Sequence, residues 1–395
     1  MNAQRIQQLS SKYGCAAFVA STVPNVYYST GVLSLGQKFI LGTKVFSIVI
    51  PGDPPRVTLV APVGEADLAI EEAREGVNIC PYGHFVIEGQ DIGKGGTDGC
   101  LSQVLSSSKL MPPVDVLVQA LQELGLQGQK VVVDEGGFTP DEWQRFTGTF
   151  AGNVVPGFAI WREIRMVKTT SEIRHLKRAA EITAAAISHA LSEVHEGMTE
   201  KELVAIYEKY LLDNGAYPAI SVILFGEHSA YPNGVPGNRR LQRGDIIRFD
   251  SGCVYNNYYA DLARNAVFGL PEPEIRGKVS TYHAAMLKGV QAGINALRPG
   301  VRADEVFQLI MNTVHENGVP HYQRTHCGHG IGAELYDQPI IALGNKTILE
   351  AGMVFCVETP YYELGLGGIQ VEDTVVINEE GAEYLSPPSS VLSVL

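Results

Sequence analysis

The residues most able to do chemistry gather near position 250, in the stretch R-F-D-S-G-C-V-Y-N-N-Y-Y-A-D-L-A-R from Arg248 to Arg264. Residues 246–254 and 258–267 read as two β-strands joined at Asn256 and Asn257, because asparagine tolerates the left-handed backbone of a tight hairpin turn. Asp250 and Asp261 stand eleven positions apart, one on each strand. An odd separation across a two-residue turn puts both side chains on one face as diagonal neighbours. Two carboxylates side by side among Ile246, Ile247, Phe249, Val254 and Ala263 repel each other unless a proton or cation lies between them. A pair of solvent-facing acids needs no such apolar setting, so the hairpin reads as half of a metal site.

An internal repeat supplies the other half. Thr169 with Glu172, and Thr199 with Glu202, form T-x-x-E capping boxes that open two helices, the second ending at Asn214-Gly215. The same order returns farther along. Residues 195–215 align with 298–318, matching Gly197 to Gly300, Glu202 to Glu305 and Gly215 to Gly318; G-D-I-I-R-F-D at 244–250 aligns with G-M-V-F-C-V-E at 352–358. Asp250 then corresponds to Glu358, and Asp261 to Glu372. A repeat of this kind predicts two pseudo-symmetric halves closing on one acidic centre. T-H-C-G-H-G-I-G at 325–332 adds His329, flanked by glycines that permit close backbone approach. Asp250, Asp261, His329, Glu358 and Glu372 make four carboxylates and one imidazole. Such a cluster stays charged only with about two divalent cations. Its oxygen-rich donors favour Mn²⁺, and the histidine also admits Co²⁺, Fe²⁺ or Zn²⁺.

The elements that must position these residues follow from length and pattern. With 395 residues, 45% of them hydrophobic, two domains are expected. In residues 1–165, candidate strands at 15–20, 46–50, 56–61, 77–80 and 130–134 alternate with candidate helices at 3–12, 65–74, 114–124 and 140–146. That alternation predicts an α/β domain. A Gly-rich stretch at 89–99 lacks the phosphate-loop pattern G-x-x-x-x-G-K-[ST] and reads as a surface loop. The boundary falls at an extended I-R-M-V-K segment, and residues 166–395 form an α+β catalytic domain. A net charge of −13 argues against nucleic-acid and anionic-membrane partners. No apolar run reaches membrane-span length. The start of the chain lacks a signal-peptide hydrophobic segment, and six scattered cysteines without a C-x-x-C pair suit reduced thiols in the cytoplasm.

The order D-x10-D, G-H-G-I-G, V-E-T-P and V-E-D-T-V resembles the pita-bread metallopeptidase superfamily, which includes Xaa-Pro dipeptidase (prolidase), aminopeptidase P and creatinase. N-V-Y-Y-S-T-G near Tyr28 and E-I-R-M-V-K-T-T-S-E-I near Val167 are similar to the prolidase and creatinase branch, whose N-terminal domain is α/β. The resemblance implies a pita-bread catalytic domain, a dinuclear metal centre on the five residues named, and a homodimer. It also implies a metal-bridged hydroxide attacking the amide bond of a dipeptide or other small substrate, with Glu358 both ligand and proton shuttle.

Three positions depart from the family pattern. Asn233 and Tyr336 stand where the peptidases carry carbonyl-binding histidines, and Gln370 stands at the first position of R-x-E-D. Asparagine and tyrosine can still donate hydrogen bonds to an oxyanion. His228 and His326 lie in the same loops and are candidates to take over that role; either reads equally well as a surface or structural histidine. Cys253, Cys327 and Cys356 read as small buried hydrophobes. Two alternatives accompany the peptidase reading. One is a creatinase-like C–N hydrolase, or a lyase, acting on a non-peptide. The other is a non-catalytic binding module, which retention of all five ligands disfavours.

Overall fold

Apolar runs bounded by turns build two large sheets in the computed structural model, which describes residues 1–88 and 96–395. The chain divides into two units, Met1–Arg165 and Met166–Leu395. In the first, β1 (Ala17–Ala20), β2 (Phe46–Ile50), β3 (Arg56–Pro62), β4 (Val77–Tyr82), β5 (Lys130–Val133) and β6 (Asn153–Pro156) form one sheet in the order β4-β3-β2-β1-β5-β6. Strand alternation feeds two cores: Phe18 and Ala20 of β1 enter one, Ala17 and Val19 the other. Helices Ala3–Tyr13, Ala66–Glu72, Pro113–Glu123 and Pro140–Thr149 lie where the 3.6-residue periodicity expects them. Strand β6, only N-V-V-P, is too short to show a period.

One local expectation is corrected. Residues 164–166 are not extended but end the helix Phe158–Met166. Ile160, Trp161 and Ile164 recur at helical spacing and are buried, and the Trp161 indole donates to the Val19 carbonyl at 2.8 Å. Of the Gly-rich stretch, residues 89–95 lie outside the described residues, and Gly96 opens the helix Gly96–Ser106.

The second unit carries β7 (Tyr217–Phe225), β8 (Ile246–Tyr255), β9 (Tyr258–Tyr259), β10 (Leu262–Val267), β11 (His326–Gly330), β12 (Asp337–Ala342), β13 (Val354–Glu358), β14 (Tyr361–Glu363), β15 (Gly367–Ile369) and β16 (Glu372–Ile377). Its main path runs β12-β11-β13-β16-β10-β8-β7. The repeat is visible in the helices. Thr170–Ser192 and Glu200–Asp213 have counterparts in Pro273–Ala296 and Ala303–Glu316. Each shorter helix is entered through a matching isolated bridge, Thr199 to Arg240 and Arg302 to Ile348. Phe355 and Val357 of β13, with Val375 and Ile377 of β16, pack with Val290, Ile294 and Ile310 in one core. The alternate residues of those strands therefore face the other side of the sheet. Among the described residues, no helix is long and apolar enough to cross a membrane.

Candidate metal centre

Asn256 and Asn257 both have positive φ, 47° and 60°, as a two-residue hairpin turn of mirror-image type requires. The ladder pairs Asp250 with Ala263 and Ser251 with Leu262, so Asp250 and Asp261 share a face. The second strand is interrupted at Ala260 and Asp261. Here the Ala260 backbone comes so close that a methyl on Gly252 would lie 1.8 Å from its carbonyl oxygen. Only glycine fits opposite the break.

Strand order then assembles the remaining residues. Glu358 is the direct cross-strand partner of Glu372, and Ala263 pairs with Glu372. His329 lies on β11 next to β13. Gly328, with φ 147°, precedes it, and a side chain there would meet the Cys356 carbonyl oxygen at 2.4 Å. Donor atoms of Asp250, Asp261 and Glu372 lie within 4.8 Å of one another, as do those of His329, Cys356 and Glu372. His329 Nε2 is 3.8 Å from Asp261 Oδ2 and 3.9 Å from Glu372 Oε1. Its Nδ1 lies 2.9 Å from the Gly330 carbonyl. That contact assigns the ring proton to Nδ1 and leaves the Nε2 lone pair facing the acids, the arrangement typical of metal-ligating histidine.

Glu358 belongs to neither donor set. Its Oε1 lies 3.0 Å from His326 Nε2 and accepts from the Tyr336 hydroxyl at 3.2 Å, and Arg324 stands 3.9 Å from Oε2. His326 and the Tyr336 hydroxyl are themselves 2.7 Å apart. The Tyr336 ring stacks on His329.

Electrostatics separate the acids. Burial, then the charge of Glu358, pushes Asp250 up to about 6 against the opposing pull of Arg248. Burial and the neighbouring acids raise Asp261 and Glu372 well above the carboxylate range. Burial acts to raise Glu358 too, but the His326 hydrogen bond, His329 and Arg324 together hold it below its ordinary value. Burial lowers His329. The donor set fits divalent cations. Three carboxylates crowd together against a single ion pair from Arg248 to Asp250, the imidazole presents a lone pair, and the buried Asp261 Oδ1 has no hydrogen-bond partner among the described residues.

His228 and Asn233 are the other two expected residues. His228 Nδ1 lies 2.8 Å from Oε1 of the buried Glu200, which also accepts from the Phe225 and Gly237 amides. Asn233 is exposed. The loop just before it is tied to the acids by Arg248, which sequence reasoning missed. This fully buried arginine donates to Asp250 Oδ2 at 3.2 Å, Gln370 Oε1 at 2.8 Å, and the Tyr231 and Pro232 carbonyls at 2.8 and 3.1 Å. The available signal is parity, since Arg248 and Asp250 are two apart on one strand and share a face. Arg324 carries no comparable sequence signal.

The sequence profile of metallopeptidase family M24 matches residues 174–379. The Xaa-Pro dipeptidase of Pyrococcus furiosus is 35% identical over 227 residues, 57% of this chain and 64% of that protein. The chain thus spans less than two thirds of that relative's length. An uncharacterized peptidase of Staphylococcus saprophyticus is 29% identical over 386 residues, 97% of this chain and 98% of that protein. The prolidase structure from Pyrococcus furiosus superposes with TM-score 0.74 at 25% identity, covering 97% of this chain and 99% of that one. X-Pro aminopeptidase from Thermotoga maritima gives 0.77 at 25% identity, covering 100% and 99%. The architecture is therefore an α/β N-terminal unit followed by a pita-bread unit, as the resemblance implies, and divalent metal ions go with the family. With the M24 profile covering more than half of its length, the chain belongs to metallopeptidase family M24.

Proposed function

We propose that this protein is a dinuclear metal-dependent hydrolase that cleaves the amide bond of short Xaa-Pro peptides. Asp250, Asp261, His329, Glu358 and Glu372 would hold two divalent ions, with Mn²⁺ the first candidate for an oxygen-rich set. The observation that carries this reading is the convergence of donor atoms of Asp250, Asp261 and Glu372 within 4.8 Å, with Asp261 Oδ1 buried and without a hydrogen-bond partner among the described residues. Bound there, the ions would lower the pKa of a water molecule and polarise the scissile carbonyl.

The chain's own groups supply the rest. Glu358 is held ionised beside His326 and Tyr336, so it can accept a proton and return it to the leaving amine. The Tyr336 hydroxyl and the His326 ring are donors near that carboxylate, suited to a developing oxyanion. Arg248 orients Asp250 and fixes the carbonyls of Tyr231 and Pro232. The family resemblance further supports a homodimer, and the scattered cysteines without a C-x-x-C pair support a cytoplasmic setting.

A second reading, hydrolysis of a non-peptide C–N bond, is favoured by Asn233 and Tyr336 occupying the positions where the peptidases carry carbonyl-binding histidines. Metal analysis of purified protein, followed by a screen of Xaa-Pro dipeptides against ureas, guanidines and cyclic amidines, tests both. Chelation should abolish turnover, and Mn²⁺ or Co²⁺ should restore it. Full activity in metal-free protein would overturn the metal mechanism. Turnover of non-peptides alone would replace the peptide substrate.

A further inference from the structure

Cys253, Cys327 and Cys356 each lie within three positions of a proposed ligand, and all are buried. Two of them point away from the acids. Cys253 Sγ sits 3.3 Å from Thr183 Oγ1 and 3.4 Å from the Ala179 carbonyl, on the helix Thr170–Ser192. Cys327 Sγ sits 3.8 Å from Met311 Sδ in the apolar core. Cys356 is different. Its neighbours Phe355 and Val357 belong to the helix-side core, so strand alternation turns Cys356 to the face that carries Glu358.

Cys356 is the direct cross-strand partner of His329 on one side and Thr374 on the other. Its sulfur, a ring nitrogen of His329 and a carboxylate oxygen of Glu372 lie within 4.8 Å of one another. Thr374 Oγ1 donates to the Asp261 carbonyl at 2.9 Å and stands 3.5 Å from Cys356 Sγ. Cys356 Sγ itself donates to the same Asp261 carbonyl at 3.7 Å, so Thr374 and the Asp261 backbone together keep the sulfur oriented. The buried Asp261 Oδ1 has no partner among the described residues, and Asp261 Oδ2 is 3.8 Å from His329 Nε2. Glu358 is drawn off to His326 and Tyr336. On the His329 side the cysteine stands beside Asp261 and Glu372.

We infer that Cys356 is a sixth donor of the metal centre, making its two cation positions chemically unlike. Asp250, Asp261 and Glu372 offer oxygen alone. His329, Cys356 and Glu372 offer nitrogen, sulfur and oxygen, a set that takes a thiophilic divalent ion such as Zn²⁺ or Co²⁺ ahead of Mn²⁺. Coordination exchanges the S–H bond for a sulfur–metal bond, and the thiol proton leaves to solvent. The inference rests on the reading of these acids as a metal centre.

The test is spectroscopic. Full-length protein stripped by a chelator is titrated with Co²⁺, and Zn²⁺ is competed against Mn²⁺ by calorimetry. Wild type, Cys327→Ala and Cys253→Ala should develop a thiolate-to-cobalt charge-transfer band in the near ultraviolet. Cys356→Ser and Cys356→Ala should bind cobalt without it, and their preference for Zn²⁺ over Mn²⁺ at one position should fall by at least about tenfold. Cobalt bound by wild type with no such band overturns the inference, as does a band that survives in either Cys356 variant. If neither variant folds, the wild-type spectrum with the two control cysteines decides. Peptide hydrolysis by a band-free cobalt protein sinks the thiolate and leaves the proposed function standing; failure to bind any divalent ion sinks both.

Discussion

Tyr336 lies flat against His329, with ring centroids 3.6 Å apart and planes 19° from parallel, while its hydroxyl reaches Glu358 at 3.2 Å. One side chain thus packs on a proposed metal ligand and donates to the proposed proton carrier. The two roles separate in Tyr336→Phe, which keeps the ring and removes the donor. Turnover should fall about 10²–10³-fold with metal content unchanged. Loss of metal together with activity would mean that the hydroxyl supports the ligands and not the reaction.

Asn233→His combined with Tyr336→His distinguishes the substrate readings. A peptidase should keep or raise its Xaa-Pro turnover when both histidines are supplied. A pocket rebuilt for another substrate should lose about 3–6 kcal/mol of transition-state stabilisation on that substrate. Steady-state kcat/KM on both substrate classes decides between them.

Arg248 is fully buried and bonds two side chains of the site and two loop carbonyls. Arg248→Met removes the charged donor of Asp250 and leaves Gln370 Oε1 with the Tyr362 hydroxyl at 3.2 Å, so the metal-free protein should lose about 3–5 kcal/mol in denaturant unfolding. Divalent ions should return part of that loss by neutralising Asp250. A stability change below about 1 kcal/mol would show that the arginine is not holding the acid.

The pH dependence of the metal-free protein follows from signs. Asp250 is pushed up to about 6, and Asp261 and Glu372 shift in the same direction. Their folded forms hold protons more tightly than the unfolded chain does. They therefore cost nothing below the unfolded carboxylate value and destabilise increasingly as pH rises through the folded values. Buried His329, shifted down, runs the other way, and its cost appears as pH falls below the ordinary histidine value. A divalent ion needs the acids deprotonated, so the rise in Tm on adding metal should grow from about pH 5 to about pH 8. A metal-induced rise that does not vary with pH would contradict charge neutralisation at these acids.

Gly252→Ala probes the hairpin itself. Its methyl would press on the Ala260 carbonyl oxygen and move the backbone that sets Asp261 beside Asp250. A loss of about 1–3 kcal/mol is expected from such overpacking, together with weaker metal binding by calorimetry. Unchanged metal affinity would show that the break opposite Gly252 does not set the spacing of the acids.

What the sequence determined is the local part of this centre. The parity of Asp250 and Asp261 follows from a two-residue turn, and the repeat assigns Glu358 and Glu372 to equivalent strands. Turn length, strand alternation and helix period are properties of neighbouring residues, and they survive in a one-dimensional reading. The tertiary structure decided which partners each side chain meets. His228 turns to Glu200, Glu358 to His326 and Tyr336, and Arg248 to Gln370 from a strand more than one hundred residues away. Three cysteines with the same local setting part company, two toward helices and Cys356 toward the acids. Those choices depend on strand order and on the few ångströms between facing side chains. Both arise from packing between segments distant in sequence, and no local pattern encodes them.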